Sequence, residues 1–343
     1  MKNGKILPLA KPIIRTWSQE SLFISTILLK KTAKEWLLDE YLKLYIEGQP
    51  YEKRDSVKHN KENNYSEHDD LSVLWSACPF LDIIYMSDEL IQNNHQNIIE
   101  YIHASIDNGY YLYFTPTNET CNIKCTENDI NQIFVCGYDI EKRCIVIVSH
   151  YNKKGRPFYR EIDNQKFADM YASWNCNTEM IGKAERLIKL LKVNDYEYHS
   201  EIKPIEQYVV KYILMVEEEE LDSEERIYKK YDIYNQIQTY VDSLLGQKKN
   251  TKKDISLFYI LCDHTKVLYS KVELMCQLGY CMLFAELIER YRMLFRWSEN
   301  IINLFLLYWI QEDDKLLISI NKILKKMYQE EYSLSTELYD KLC

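Results

Sequence analysis

GYYLYFTPTNETCNIKCTENDINQIFVCGYDIEKRCIVIVSHY, residues 109–151, contains three short apolar runs rich in β-branched and aromatic side chains. The runs are Tyr110–Thr115, Ile133–Tyr138 and Cys144–Val148. Glycine, proline, asparagine or aspartate borders each run, and these residues favour tight turns. Short apolar runs between turn residues are typical of buried strands. We therefore expect three strands here, with Gly137-Tyr138-Asp139 at the end of the second.

Helical patterns flank these strands on both sides. Apolar residues recur at helical spacing over residues 17–46, and a second helix is predicted over Ser87–Asp107 with Ser87 as its cap. Asp163 is predicted to cap a short helix that includes Phe167 and Tyr171. Ala184–Val193 fits either a helix or a strand, and the alternation of its apolar residues slightly favours the strand.

The second half of the chain is predicted to be helical. All seven prolines lie at or before Pro204, and proline costs a helix interior about 3 kcal/mol. Five helices are predicted, over residues 204–220, 223–245, 253–278, 280–311 and 314–330. Apolar residues nearly encircle the fourth, which predicts a central helix. His264 is expected to be a core histidine with a satisfied partner. The fold class is therefore α+β, with one domain over residues 1–200 and a helical domain over 201–343.

Composition excludes several classes of function. The net charge is −9 and the basic residues are dispersed, which disfavours binding to nucleic acid. No apolar run approaches the roughly 20 residues of a membrane span, and the N-terminus lacks the features of a secretory signal. The ten cysteines show no disulfide spacing, which favours a cytoplasmic protein. Cys121 and Cys125 are only a weak candidate for a metal site, because no second ligand pair lies at zinc-site spacing. Residues 47–70 are expected to form a solvated loop.

Several short pieces of sequence occur in the order and spacing of one known family. They are Ile6-Leu7-Pro8 with Lys11-Pro12, Trp17–Leu22, Asp107–Tyr111, Ile133–Asp139, and Gly155 with Phe167–Tyr171. Together they resemble the N-terminal domain of the butirosin biosynthesis protein H family, a branch of the papain-like cysteine peptidase and acyltransferase superfamily. The resemblance implies a papain-like fold for residues 1–200, followed by a helical C-terminal domain.

The resemblance also implies an activity. Members of this family look like enzymes that pass an acyl group from a carrier-protein thioester to a cysteine and then to an amine, in nonribosomal peptide or polyketide pathways. The family pattern places a cysteine at a helix start, a histidine at the head of one strand and an aspartate on the next. This chain has Ser21, Asn131 and Ser149 there, with His150 beside the last.

These substitutions predict a catalytically degenerate protein. A serine hydroxyl is a poor nucleophile without an adjacent base, and an asparagine side chain accepts no proton at neutral pH. The expected partners are an acyl or peptidyl carrier protein, a small acyl or amine compound, or a second subunit, alike or homologous. Neither a cofactor nor a metal is expected.

Two alternatives remain open at this point. In the first, the protein is an active amide-forming acyltransferase that moves an acyl group from a carrier-protein thioester to an amine. His150 then acts as the base for Ser21, if the third strand ends one residue out of register, or Cys136 or Cys78 replaces the nucleophile. The apolar surroundings of both cysteines favour packed thiols instead. In the second alternative, the helical half is the working part and serves as a scaffold for protein–protein contact.

Overall fold

The computed structural model describes residues 3–14, 18–46, 78–87, 91, 97–114, 133–151, 157–173, 187–210, 233–245, 253–279 and 285–342. The chain divides into two compact units. Residues 1–12, 17–33 and 75–197 form the first, and residues 13–16, 34–74 and 198–343 form the second. The first unit holds an antiparallel sheet and the second is helical, so the α+β class is confirmed. The loop predicted over 47–70 and the pair Cys121 and Cys125 lie outside the described residues.

Seven antiparallel strands are described in the first unit. They are β1 (Gly4–Ile6), β2 (Leu81–Ser87), β3 (Tyr111–Phe114), β4 (Ile133–Asp139), β5 (Cys144–Tyr151), β6 (Pro157–Asp163) and β7 (Leu187–Val193). Their order is β2-β7-β3-β4-β5-β6, and β1 also pairs with β4. The three predicted strands are confirmed as β3, β4 and β5. The strand favoured within Ala184–Val193 is confirmed as β7.

Three helices described in the first unit are α1 (Ser18–Ile27), α3 (Ile98–Asp107) and α4 (Asn164–Ser173). Asp163 caps α4 as predicted, because its carboxylate accepts hydrogen bonds from the backbone N–H groups of Gln165 (2.9 Å) and Lys166 (3.1 Å). Ser87 does not cap α3. It lies in β2, and Asn97 is the cap, accepting from the N–H of Ile99 at 2.9 Å.

The pattern over residues 17–46 is divided between two helices rather than one. A turn over residues 28–32 separates α1 from α2 (Ala33–Ile46). Residues 34–46 of α2 group with the helical unit, whereas the sequence prediction placed all of residues 1–200 in one domain. The periodicity alone did not mark this break, since helical spacing of apolar residues continues on both sides of the turn.

Gly137 allows β1 to lie against β4. Ile6 is the residue opposite Gly137, and the N–H of Leu7 donates to the carbonyl oxygen of Cys136 at 2.8 Å. A Cβ atom at Gly137 would lie 2.6 Å from the carbonyl oxygen of Lys5 and 2.9 Å from the Cα of Ile6. The glycine of the Gly-Tyr-Asp motif is therefore explained by the close passage of another strand.

Replacing Gly137 by alanine should destabilise the first unit. The added methyl group meets backbone atoms of β1, which cannot move aside as a flexible side chain would, so we expect a loss of about 1–3 kcal/mol in the free energy of unfolding. Urea denaturation followed by tryptophan fluorescence measures this loss. A variant as stable as the wild type would show that β1 does not hold this position in solution.

The described helices of the second unit are α2, residues 203–210, α5 (Ile233–Leu244), α6 (Ser256–Gln277), α7 (Ala285–Gln311) and α8 (Asp314–Leu342). The last is longer than the predicted 314–330, because buried residues continue at helical spacing through Leu334 and Leu338. The prediction of a central fourth helix is wrong. The buried residues of α7 form one stripe, while Leu307 and Ile310 on its other side are exposed.

Candidate functional site

Ser21 lies in the first two turns of α1, and its residue is only 2% exposed. Its carbonyl oxygen accepts a hydrogen bond from the hydroxyl of Ser25 at 2.6 Å. Helix α1 contacts β5. Two residues after Ser21, the ring of Phe23 lies 5.3 Å from the ring of Tyr113 and 6.4 Å from that of Phe134. The helix that carries Ser21 therefore packs over β3 and β4.

Two of the other predicted site residues, Ser149 and His150, lie on a strand of the same sheet. Strand β4 begins at Ile133, and Asn131 lies outside the described residues. Phe134 of β4 is paired with Val148 of β5, so the start of β4 lies beside the end of β5. The backbone of Ser149 and His150 belongs to β5, which runs to Tyr151 rather than ending at Val148 as predicted. The pairing of β5 with β6 shifts register between Val148 and His150.

The two cysteines considered as replacement nucleophiles are buried. Burial raises the pKa of both Cys136 and Cys78 to about 12, although backbone hydrogen bonds to Cys78 oppose the shift. The Cys136 thiol donates to the carbonyl oxygen of Val146 at 3.6 Å. A thiol is nucleophilic only as the thiolate, so neither group is activated for acyl transfer.

The same burial predicts slow alkylation of these thiols in the folded protein. With iodoacetamide near pH 8, Cys276 should be modified well before Cys136 and Cys78, because its residue is partly exposed while theirs are buried. Peptide mapping after timed quenching measures the order. Urea-unfolded protein is the control, in which all three should react at similar rates. Rapid labelling of Cys136 in the folded protein would restore it as a candidate nucleophile.

A cluster not predicted from the sequence joins α3 to β4. The imidazole of His103 stacks on the ring of Tyr138 with 4.0 Å between ring centres, and the Tyr138 hydroxyl donates to Asp107 Oδ1 at 2.8 Å. Lys5 Nζ donates to the Asp107 carbonyl oxygen at 2.9 Å. Burial and the hydrogen bond to Asp107 raise the pKa of Tyr138 to about 12, so its hydroxyl stays a donor. The i, i+4 spacing of His103 and Asp107 on one helix was the available signal.

Two buried polar clusters lie among the described residues of the second unit. The lysine cluster consists of Asp39, Tyr198, Ser200, Glu201 and Lys271. The Lys271 ammonium donates to Asp39 Oδ1, to the hydroxyl of Ser200 (2.6 Å) and to the carbonyl oxygen of Glu201 (2.7 Å), which accounts for its three N–H bonds. Asp39 also accepts from the Tyr198 hydroxyl and the Glu201 N–H, each at 3.1 Å.

The glutamate cluster consists of Tyr208, Tyr234, His264 and Glu331. The Glu331 carboxylate accepts from the hydroxyls of Tyr208 (2.6 Å) and Tyr234, and its Oε1 lies 3.0 Å from His264 Nε2. His264 and Glu331 are both completely buried. The prediction of a core histidine is confirmed, and the partner of its Nε2 is Glu331. Because solvent does not reach it, the cluster has the character of a structural cross-link.

Among the described residues, no group of three or more histidine, cysteine, aspartate or glutamate side chains could hold a metal ion. Likewise, none of the described helices combines the length and the apolar character needed to cross a bilayer.

Comparison with models of known protein families and with curated protein sequences found no match.

Proposed function

We propose that this protein is a catalytically degenerate, papain-like relative of the acyltransferases, acting in a pathway of the nonribosomal peptide or polyketide type. In this proposal it binds a carrier-bound acyl group or the pathway product, or it pairs with a homologous subunit. No covalent acyl intermediate forms. The first unit supplies the binding region, and the helical unit accompanies it as in the family that the sequence resembles.

Contacts among the resembling pieces of sequence support this kinship. The Tyr111 hydroxyl donates to the carbonyl oxygen of Pro8, which joins two of the pieces. Tyr138 of the Gly-Tyr-Asp motif donates to Asp107, which joins two more. Pieces that are far apart in the chain therefore contact one another in the sheet, as elements of one ancestral domain would.

The packing of α1 on the sheet carries the proposal. A papain-like enzyme needs its nucleophile-bearing helix against the strands that hold the base and its orienting group. Helix α1 contacts β5, and Phe23 packs on Tyr113 and Phe134, while the helix offers the buried hydroxyl of Ser21 in place of a thiol. The layout favours binding at this helix, and the residue types disfavour turnover.

Incubation with an acyl-pantetheine thioester and its analogue tests both parts of the proposal, namely that the protein binds the acyl ligand and that it forms no covalent intermediate. We expect a non-hydrolysable amide analogue of the thioester to bind saturably by calorimetry, while intact-mass analysis after incubation with the thioester itself finds no acyl adduct. Ser21→Ala is the matched control that separates labelling of Ser21 from labelling elsewhere. Absence of analogue binding would contradict the carrier-bound ligand, and an adduct lost in Ser21→Ala would contradict the inactive site.

One observation favours the active alternative strongly enough to test it. Helix α1 contacts β5, the strand whose backbone includes His150, so a Ser21–His150 pair is compatible with the arrangement of the elements. If this pair works, His150→Ala should abolish acyl transfer to an amine acceptor and leave binding of the amide analogue unchanged. Turnover that survives this substitution would eliminate His150 as the base.

A further inference from the structure

One row of side chains crosses the first unit at right angles to the strands. Residues directly opposite one another in neighbouring strands point to the same face of a sheet. The pairing places Tyr85 opposite Lys189, Lys189 opposite Tyr113, and Tyr113 opposite Phe134. Phe134 in turn lies opposite Val148. Lys189 is the single charged member of this row, and Phe23 of α1 packs on the same face.

The ammonium group of Lys189 lies between two aromatic rings. Its Nζ is 5.8 Å from the centre of the Tyr85 ring and 5.6 Å from that of the Tyr113 ring. Such cation–π contacts offset part of the cost of removing a cation from water, but they leave its charge unneutralised. Among the described residues, no carboxylate forms an ion pair with Lys189, whereas five other lysines do.

Lys189 has a buried neighbour on one side and an exposed neighbour on the other. Tyr113 is buried beneath Phe23, while Tyr85 on the neighbouring strand β2 is 53% exposed. A small molecule can therefore approach the ammonium group along the Tyr85 ring. Burial lowers the pKa of Lys189, and no opposing contribution from a neighbouring acid accompanies it. An anion placed beside Nζ would reverse that effect, because an opposite charge favours the ionised form of a lysine.

We propose that Lys189, Tyr85 and Tyr113 form a binding site for a small carboxylate attached to a planar apolar group. The carboxylate pairs with Nζ of Lys189, and the planar part lies against the exposed ring of Tyr85. The neighbouring rings exclude water from one side of the ion pair, which strengthens it relative to a pair at an open surface. This site depends on the register of β2, β7 and β3, and it does not require the papain-like kinship.

Benzoate is the probe for this site, and binding is measured by calorimetry and by NMR of the ¹³C-methylated lysines. We expect saturable binding with a Kd of about 1 mM, and a rise in the pKa of Lys189 when benzoate is added. Benzamide lacks the charge and acetate lacks the ring, so each should bind at least about tenfold more weakly.

Variants identify the residues responsible. Lys189→Met should weaken benzoate binding at least about tenfold, and Lys189→Arg should keep most of it. The matched control is Lys192→Met. Lys192 also lies in β7, and its Nζ is 5.1 Å from the centre of the Tyr110 ring, but Lys192 is not part of the row. Circular dichroism confirms that each variant is folded. Undiminished binding by Lys189→Met, equal affinity for benzamide, or no saturable binding of benzoate up to about 30 mM would overturn the proposal.

Discussion

Replacing Lys271 by methionine should lower the free energy of unfolding by about 3–5 kcal/mol, because a buried charge then remains without its partner. Asp39 and Lys271 are almost fully shielded from solvent, and the ammonium group supplies the only positive charge in the lysine cluster. Hydrogen bonds from Tyr198 and the backbone of Glu201 remain in the variant, but they do not neutralise the carboxylate. Chemical denaturation at neutral pH measures the loss.

A double variant distinguishes ion pairing from simple packing. Burial lowers the pKa of Lys271, and the charge of Asp39 acts in the opposite direction, so the two charges are coupled. Removing both charges in Asp39→Asn with Lys271→Met should therefore cost less than the sum of the single changes, by at least about 1 kcal/mol. Strict additivity of the two losses would contradict the ion pair.

The control for this pair is Lys325→Met on α8. Lys325 is exposed, and its replacement should change the free energy of unfolding by less than about 0.5 kcal/mol. The comparison removes the general effect of exchanging a lysine for an apolar side chain of similar length. A loss for Lys325→Met as large as that for Lys271→Met would assign the effect to helix propensity or net charge.

Local chemistry made part of this fold predictable. Strands β3, β4 and β5 are uninterrupted apolar runs, and the cap at Asp163 depends on backbone N–H groups only two and three residues away. Strand β6 was missed because its residues are mostly exposed or half-exposed and so form no apolar run. Strand β2 was also missed, and its last residue, Ser87, was predicted as the cap of the next helix, while the cap of α3 is Asn97.

The polar clusters were not predictable for a different reason. Asp39 and Lys271 are 232 positions apart, and His264 and Glu331 are 67 apart, so no periodicity or spacing relates the partners. Tertiary packing alone brings them together. Of the predicted site, the sequence identified the helix with Ser21 and the strands that it packs against, because these follow from local patterns. The pairing of Tyr138 with Asp107 required the three-dimensional contact of α3 with β4.

Replacing Glu331 by glutamine should destabilise the helical unit by about 2–4 kcal/mol at neutral pH, because the amide group places two donors where the carboxylate accepted from Tyr208, Tyr234 and His264. The neighbouring Glu330→Gln is the matched control. Glu330 pairs with Arg290 at 2.7 Å on a partly exposed surface, so its loss should cost no more than about 1 kcal/mol.

The difference between wild type and Glu331→Gln should also depend on pH in a defined direction. Burial alone would raise the pKa of Glu331, but the charge of His264 and the hydrogen bonds from His264, Tyr208 and Tyr234 together lower it below its ordinary value of 4.5. The unfolded chain therefore binds a proton at higher pH than the folded chain does, and stability falls as pH falls between the two values. We expect the difference in the free energy of unfolding to be no smaller at about pH 5 than at pH 7, and to shrink below pH 4.5. A difference that already closes between pH 7 and about 5 would mean that burial outweighs the donors around Glu331, and that the pKa is raised instead.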